Sequence, residues 1–136
     1  MAEDAVVDDL AIRRLLASYC QLLDDGHFGE LAELFTPDGS FSYAGTAVSG
    51  RGAIRDWFTS SQPSGRRGKH LTLNVVIAVD GDHAAATSDY LWLRSVDGVI
   101  SPGLAGRYRD TLVRGHGSWL MARRLVEPMS DMQESA

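Results

Sequence analysis

The chain of 136 residues is 44% hydrophobic and 23% charged, which fits one globular domain with a sizeable core and not two. A formal net charge of −5 argues against nucleic acid or an anionic membrane surface as a partner, because both demand a basic face. The lone Cys20 excludes an internal disulfide and a thiolate metal cluster and fits a reducing cytoplasm, and we read no leader peptide and no bilayer-spanning stretch.

Residues 1–8 are acidic and read as a frayed, flexible start, with Asp8 or Asp9 placed to cap a helix. Ile12, Leu15, Leu16, Tyr19, Leu22 and Leu23 follow at helical spacing with one buried stripe. Asp24-Asp25-Gly26 stops that helix, Gly26 being suited to a left-handed terminator. Phe28, Leu31, Leu34 and Phe35 predict a second, shorter helix that Asp25 could cap, and Thr36-Pro37-Asp38-Gly39 carries a turn signature. A short strand is expected from Ser40 to Ala44, an extended piece through Ala47-Val48, and a small third helix over 51–59 carrying Ile54, Trp57 and Phe58. Ser60 to Gly68, rich in Ser, Gly and Pro, reads as a loop where a lid could sit.

Long strands are expected over 69–79, 83–95 and 104–115, and a fourth from Trp119 to Val126. The turns between them, at Asp80-Gly81, Asp97-Gly98 and Gly115-His116-Gly117, are short, so these strands are antiparallel neighbours. Helices first and a strand meander afterwards make an α+β class, a strongly curved sheet with helices against one face. The tail after Pro128 lacks periodicity and reads as disordered, leaving one domain over 1–136 with its core at about 8–128.

Strand alternation assigns the chemistry to faces. Over 69–78, His70, Thr72 and Asn74 share one face, and Leu71, Leu73 and Val75 the other; the second row reads as core, the first as facing solvent or a pocket. Tyr90 and Trp92 share one face of their strand and Asp89, Leu91 and Leu93 the other, with either row free to look inward. Tyr108 shares a face with Asp110, and Asp110 with Arg123 or Arg124 reads as an ion pair. His27, His83 and His116 fall in turn-like, exposed stretches, so no metal site is expected. No phosphate loop or dinucleotide fingerprint is present.

In this order, Tyr19-Cys-Gln-Leu-Leu-Asp24, Leu34-Phe35-Thr-Pro-Asp38-Gly39, Gly50-Arg-Gly-Ala-Ile54, His70-Leu-Thr-Leu-Asn74, Gly106-Arg-Tyr108-Arg-Asp110 and Trp119-Leu-Met-Ala-Arg123 resemble the SnoaL-like branch of the nuclear-transport-factor-like superfamily. That group includes ketosteroid isomerases, scytalone dehydratase, limonene epoxide hydrolase, bile-acid dehydratases and polyketide cyclases. The resemblance implies a cone: a curved antiparallel sheet with N-terminal helices on its concave face, an apolar cavity between them, and a homodimer formed through the open sheet face. It also implies that Tyr19, Asp24 and His70 correspond to the Tyr, Asp and His of the dehydratases, with no cofactor.

Eliminating water next to an acidic C–H needs a base for the carbon proton and an acid for the leaving hydroxyl, and His serves either role near neutrality. An Asp bonded to it fixes the tautomer, and a buried Tyr hydroxyl polarises a carbonyl. Tyr19 and Asp24 stand about 140° apart round an ideal helix, so they converge only if the helix ends or turns before Asp24. Asn74, Tyr43, Trp57 and Tyr108 are the expected substrate-binding residues around a hydrophobic, carbonyl-bearing small molecule. The chain departs from ketosteroid isomerases, which place a base Asp where Ser40, Ser42 and Tyr43 stand, and from scytalone dehydratase, whose second sheet His has no counterpart over 84–114. The expected activity is therefore a dehydratase, isomerase or cyclase. The alternatives are a non-catalytic binding or dimerisation module, and an epoxide-hydrolase-like enzyme with Asp89 or Asp110 in the pocket beside an Arg.

Overall fold

Ile12, Leu15, Leu16, Tyr19, Cys20 and Leu23 all lie buried, so the apolar stripe of the first helix is the surface over which the sheet closes. The computed structural model describes residues 2–129. Its elements in chain order are α1 (Ala2–Asp25), α2 (Phe28–Ala32), β1 (Phe35–Tyr43), β2 (Thr46–Ser49), α3 (Arg51–Ser61), β3 (Lys69–Asp80), β4 (His83–Val96), β5 (Val99–Gly115) and β6 (Ser118–Pro128), with a single 3₁₀ turn at Ser64–Arg66. The expected disorder beyond Pro128 falls mostly on residues 130–136, outside the described residues.

The six strands form one open sheet in the order β2-β1-β6-β5-β4-β3. Every pairing is antiparallel except β1 with β6, which run parallel because the chain crosses the sheet between them. This is the α+β cone architecture, with helices against one sheet face. Among the described residues, no helix is long and apolar enough to cross a membrane.

The second helix stops at Ala32 with His27 at its N-cap, so Phe35 opens β1 and Asp25 is not the cap. Four other local readings change. First, α1 begins at Ala2, so Asp8 and Asp9 lie inside it rather than at its cap. Asp8 is 7% exposed and accepts bonds from the Arg114 guanidinium and from Trp119 Nε1 (3.2 Å), because β5 and β6 bring both donors against the helix. Second, Thr36-Pro37-Asp38-Gly39 lies within β1, where an irregular register between Phe35 and Ser40 absorbs the turn-like residues. Third, β5 starts at Val99, lengthened by pairing with the whole of β4.

The fourth concerns β3. The register with β4 jumps between Leu73 and Val76, and Asn74 takes a left-handed φ of 54°. This bulge flips the parity of the strand. The inward row is His70 and Thr72 before it, then Val75, Ile77 and Val79 after it, the last three packed on the core. Leu73 is 43% exposed, so the row read as core over Leu71 and Leu73 faces the outside.

The first helix ends as expected. Gly26 has a φ of 77°, its N–H bonds the Leu23 carbonyl (3.2 Å), and the His27 N–H bonds the Leu22 carbonyl (2.8 Å), the pair of bonds of a Schellman terminator.

Candidate functional site

The helix terminator sets Asp24 against the start of β3. Its position is unfavourable taken alone, since no basic residue sits in the last turn of α1 and the helix end disfavours an anion. Two donors from one residue offset this. The His70 ring Nδ1 lies 2.7 Å from Asp24 Oδ1, and the His70 backbone N–H bonds both carboxylate oxygens at 3.1 and 3.0 Å. Both side chains are nearly shielded, at 11% exposed for His70 and 5% for Asp24, which strengthens a charge-assisted bond. A carboxylate facing Nδ1 makes that nitrogen the donor and leaves Nε2 as the acceptor. Among the described residues no group bonds Nε2.

His70 lines a cavity of about 230 Å³ together with Tyr19, Leu23, Phe41, Trp57 and Tyr108. Asp24 does not line it; the carboxylate stands behind the imidazole. Because α1 stays helical to Asp25, Tyr19 and Asp24 keep their angular separation: Tyr19 lines the cavity with His70, while Asp24 bonds His70 from outside it. Tyr43 and Tyr90 also face the cavity. On β4 the inward row is Ala84, Ala86, Ser88 and Tyr90, which settles the orientation that the sequence leaves open.

The cavity floor is aromatic over a buried ion pair. Tyr90 stacks on Tyr108 with centroids 4.6 Å apart, and Tyr19 meets Tyr108 edge-on at 6.0 Å. Beneath them the Arg124 guanidinium lies 3.7 Å from the Tyr108 centroid and 4.2 Å from that of Tyr19. Asp110 accepts two bonds from Arg124, both 2.8 Å, and neither side chain reaches solvent. Burial works against the Arg124 charge, but Asp110 outweighs it and holds the guanidinium protonated. Burial pushes the Tyr19 hydroxyl far above its ordinary range while Arg124 pulls the other way, so Tyr19 is a neutral proton donor facing the cavity.

Asn74 stands apart from this site. It is exposed on the outer face, and its amide donates to Asp89 Oδ2 at 2.8 Å. Asp89 also accepts from Arg107 at 2.8 Å; the Arg107 bond first and the Asn74 bond second hold its carboxyl below the usual range. Asp89 is thus an outer-face carboxylate, and Asp110 lies outside the cavity lining. The pocket carboxylate that an epoxide-hydrolase-like site requires is missing from the described lining.

Three polar side chains that sequence reasoning did not single out also line the cavity: Ser61, Gln62 and Arg66, from the end of α3 and the 3₁₀ turn. The loop-like composition of Ser60–Gly68 was the available signal. His70 also borders an open groove of about 360 Å³ between α1 and β3, with Arg13, Cys20, Gln21, Thr72 and Val75. Cys20 is buried there, its sulfur 3.1 Å from the Thr72 hydroxyl, and burial raises its thiol pKa. Among the described residues, no three His, Cys, Asp or Glu side chains gather to hold a metal.

The profile of the SnoaL-like domain family matches residues 4–125. The uncharacterized protein Rv2910c of Mycobacterium tuberculosis is 28% identical over 126 residues, covering 88% of this chain and 84% of that protein. The crystal structure of a candidate scytalone dehydratase from Novosphingobium aromaticivorans superposes with a TM-score of 0.83 at 30% identity, over 95% of this chain and 89% of that one. A protein of Catenulispora acidiphila, solved in complex with S-DNPA, superposes with a TM-score of 0.83 at 26% identity, over 96% and 99% of the two chains.

Proposed function

Since the chain belongs to the SnoaL-like domain family, we propose that it is a cofactor-independent lyase or isomerase acting by general acid–base catalysis on a hydrophobic, carbonyl-bearing small molecule. One observation carries this reading: the Asp24–His70 bond of 2.7 Å backs an imidazole that shares one largely apolar cavity with the Tyr19 hydroxyl. The solved complex of a relative with S-DNPA supports a small-molecule ligand, and the candidate scytalone dehydratase among the relatives supports elimination.

His70 Nε2 takes a proton from the carbon next to the carbonyl, while Asp24 supports the charge gained by the ring. The electron pair moves onto the carbonyl oxygen, where the Tyr19 hydroxyl donates a hydrogen bond to the enolate. In an elimination the enolate collapses, the β-hydroxyl leaves, and the proton on Nε2 departs with it as water. In a ring closure the same enolate attacks a second carbonyl and the proton goes to the new alkoxide. Trp57, Tyr43 and Tyr108 pack against the ring system of the substrate. The outer sheet face, where Leu73 and Val76 are exposed, is the surface for the homodimer that the resemblance implies, and sedimentation at two concentrations checks it.

The test is turnover of β-hydroxy ring ketones and of linear poly-ketone mimics, followed by loss of water or ring closure. Wild type should turn over at least one of these, and His70→Gln should slow it by about 10²–10⁴. Tyr19→Phe should keep the fold and lose most of the rate. If ligands bind but wild type gives no more product than His70→Gln, the chain is a binding module instead.

A further inference from the structure

The cavity is chemically lopsided. Its floor and most of its wall are aromatic or aliphatic, while Ser61, Gln62 and Arg66 form a short polar stretch on one segment of chain. Among the described residues the cavity has no acidic lining side chain, since Asp24 stands behind His70. Arg66 is exposed and its guanidinium makes no hydrogen bond or ion pair with any described residue. The other loop arginine is committed elsewhere: Arg67 donates to the Gln62 carbonyl at 3.3 Å and lies over the Phe28 ring at 5.4 Å. Ser61 adds a second, independent sign. Its hydroxyl is shielded from solvent and has no partner, although buried polar groups are paired in the great majority of cases.

A spare hydroxyl and a spare guanidinium on one six-residue stretch are both donors, and an oxyanion is the ligand group that accepts from both. The carboxyl end of α3 at Ser61 works against an anion, but with only about half a unit charge against the full charge of Arg66. From this geometry we infer that the substrate is a hydrophobic ring compound bearing a carboxylate, with the ring on the aromatic floor near His70 and the carboxylate held by Arg66 and Ser61. The inference rests on the small-molecule reading above and narrows its substrate class to compounds that carry an anionic group. Arg66 is then a specificity-determining residue, and its segment is the anchor that orients the reacting carbon.

Calorimetric titration of the full chain with naphthylacetate and with its neutral isostere naphthylacetamide tests this. In wild type at low salt the carboxylate should bind about tenfold more tightly than the amide, with the difference shrinking as salt screens the pair. Arg66→Gln should bring the two affinities together, and Ser61→Ala should remove a smaller part of the difference. Equal affinities in wild type, or a carboxylate preference that survives in Arg66→Gln, overturn the inference and leave the acid–base reading standing. Binding of neither probe to folded protein overturns the ring-binding cavity itself, and the anion anchor with it.

Discussion

Asp110 grips Arg124 through two bonds of 2.8 Å, and both side chains are fully buried beneath the tyrosines that line the cavity. Such a pair costs several kcal/mol per ion to desolvate and recovers it only while both partners are present. Arg124→Met should therefore destabilise the chain by about 3–5 kcal/mol, because it strands the Asp110 charge. Asp110→Leu combined with Arg124→Met should lose much less than the sum of the single changes. Urea unfolding of the three variants measures this; additive losses would mean that the pair is not the unit described.

The alkaline limit of stability follows from the same floor. Burial raises the Tyr19, Tyr90 and Tyr108 hydroxyls well above their ordinary value of about 10. The folded chain keeps these protons where the unfolded chain releases them, so above about pH 10 the unfolded state binds fewer protons and stability falls as pH rises. Below that range the contribution is fully present. Phenolate absorbance of these three side chains should appear together with loss of far-ultraviolet circular dichroism. Their ionisation near pH 10 in a chain that keeps its circular dichroism would contradict the burial.

Much of this fold is legible as periodicity. The stripe from Ile12 to Leu23, the Gly26 terminator and the four long strands all follow from local patterns. What is not legible turns on single inserted residues and on partners remote in the chain. The bulge at Asn74 decides that His70 faces inward while Asn74 does not, and nothing in a Leu-Asn-Val run announces it. A register shift in the β5–β6 pair likewise makes Arg124, rather than Arg123, the inward arginine that meets Asp110. Tyr19, Asp24 and His70 were named together through resemblance, whereas the bond that sets Asp24 behind the His70 ring needed the sheet in place.

Asp8 is a second case of a remote partner. It sits inside α1, yet its carboxylate holds Arg114, which also bonds Asp82 at 3.2 Å and stacks on Trp119 at 4.8 Å. Asp8→Ala removes the acceptor for the Trp119 N–H and for one Arg114 nitrogen, and should cost about 1–3 kcal/mol. The loss should be local. Amide exchange should quicken over the first two turns of α1 and not near Asp24, and uniform quickening along the helix would show that Asp8 is no latch.

Asp24→Asn separates shape from charge at the site. An amide fills the same space and can still accept from the His70 backbone N–H through its oxygen, so the start of β3 should stay in place. It cannot support an imidazolium, and its NH₂ can face Nδ1 as a donor, which would turn the ring to the tautomer with the proton on Nε2. The acceptor that faces the cavity is then lost. Long-range ¹H–¹⁵N spectra should show the wild-type ring with its proton on Nδ1 and the variant ring shifted toward the other tautomer. Turnover should fall by about 10²–10⁴, comparable to losing the base itself, while the unfolding midpoint changes little. An unchanged tautomer with unchanged turnover would show that Asp24 positions the strand alone, and the acid–base assignment for His70 would lose its support.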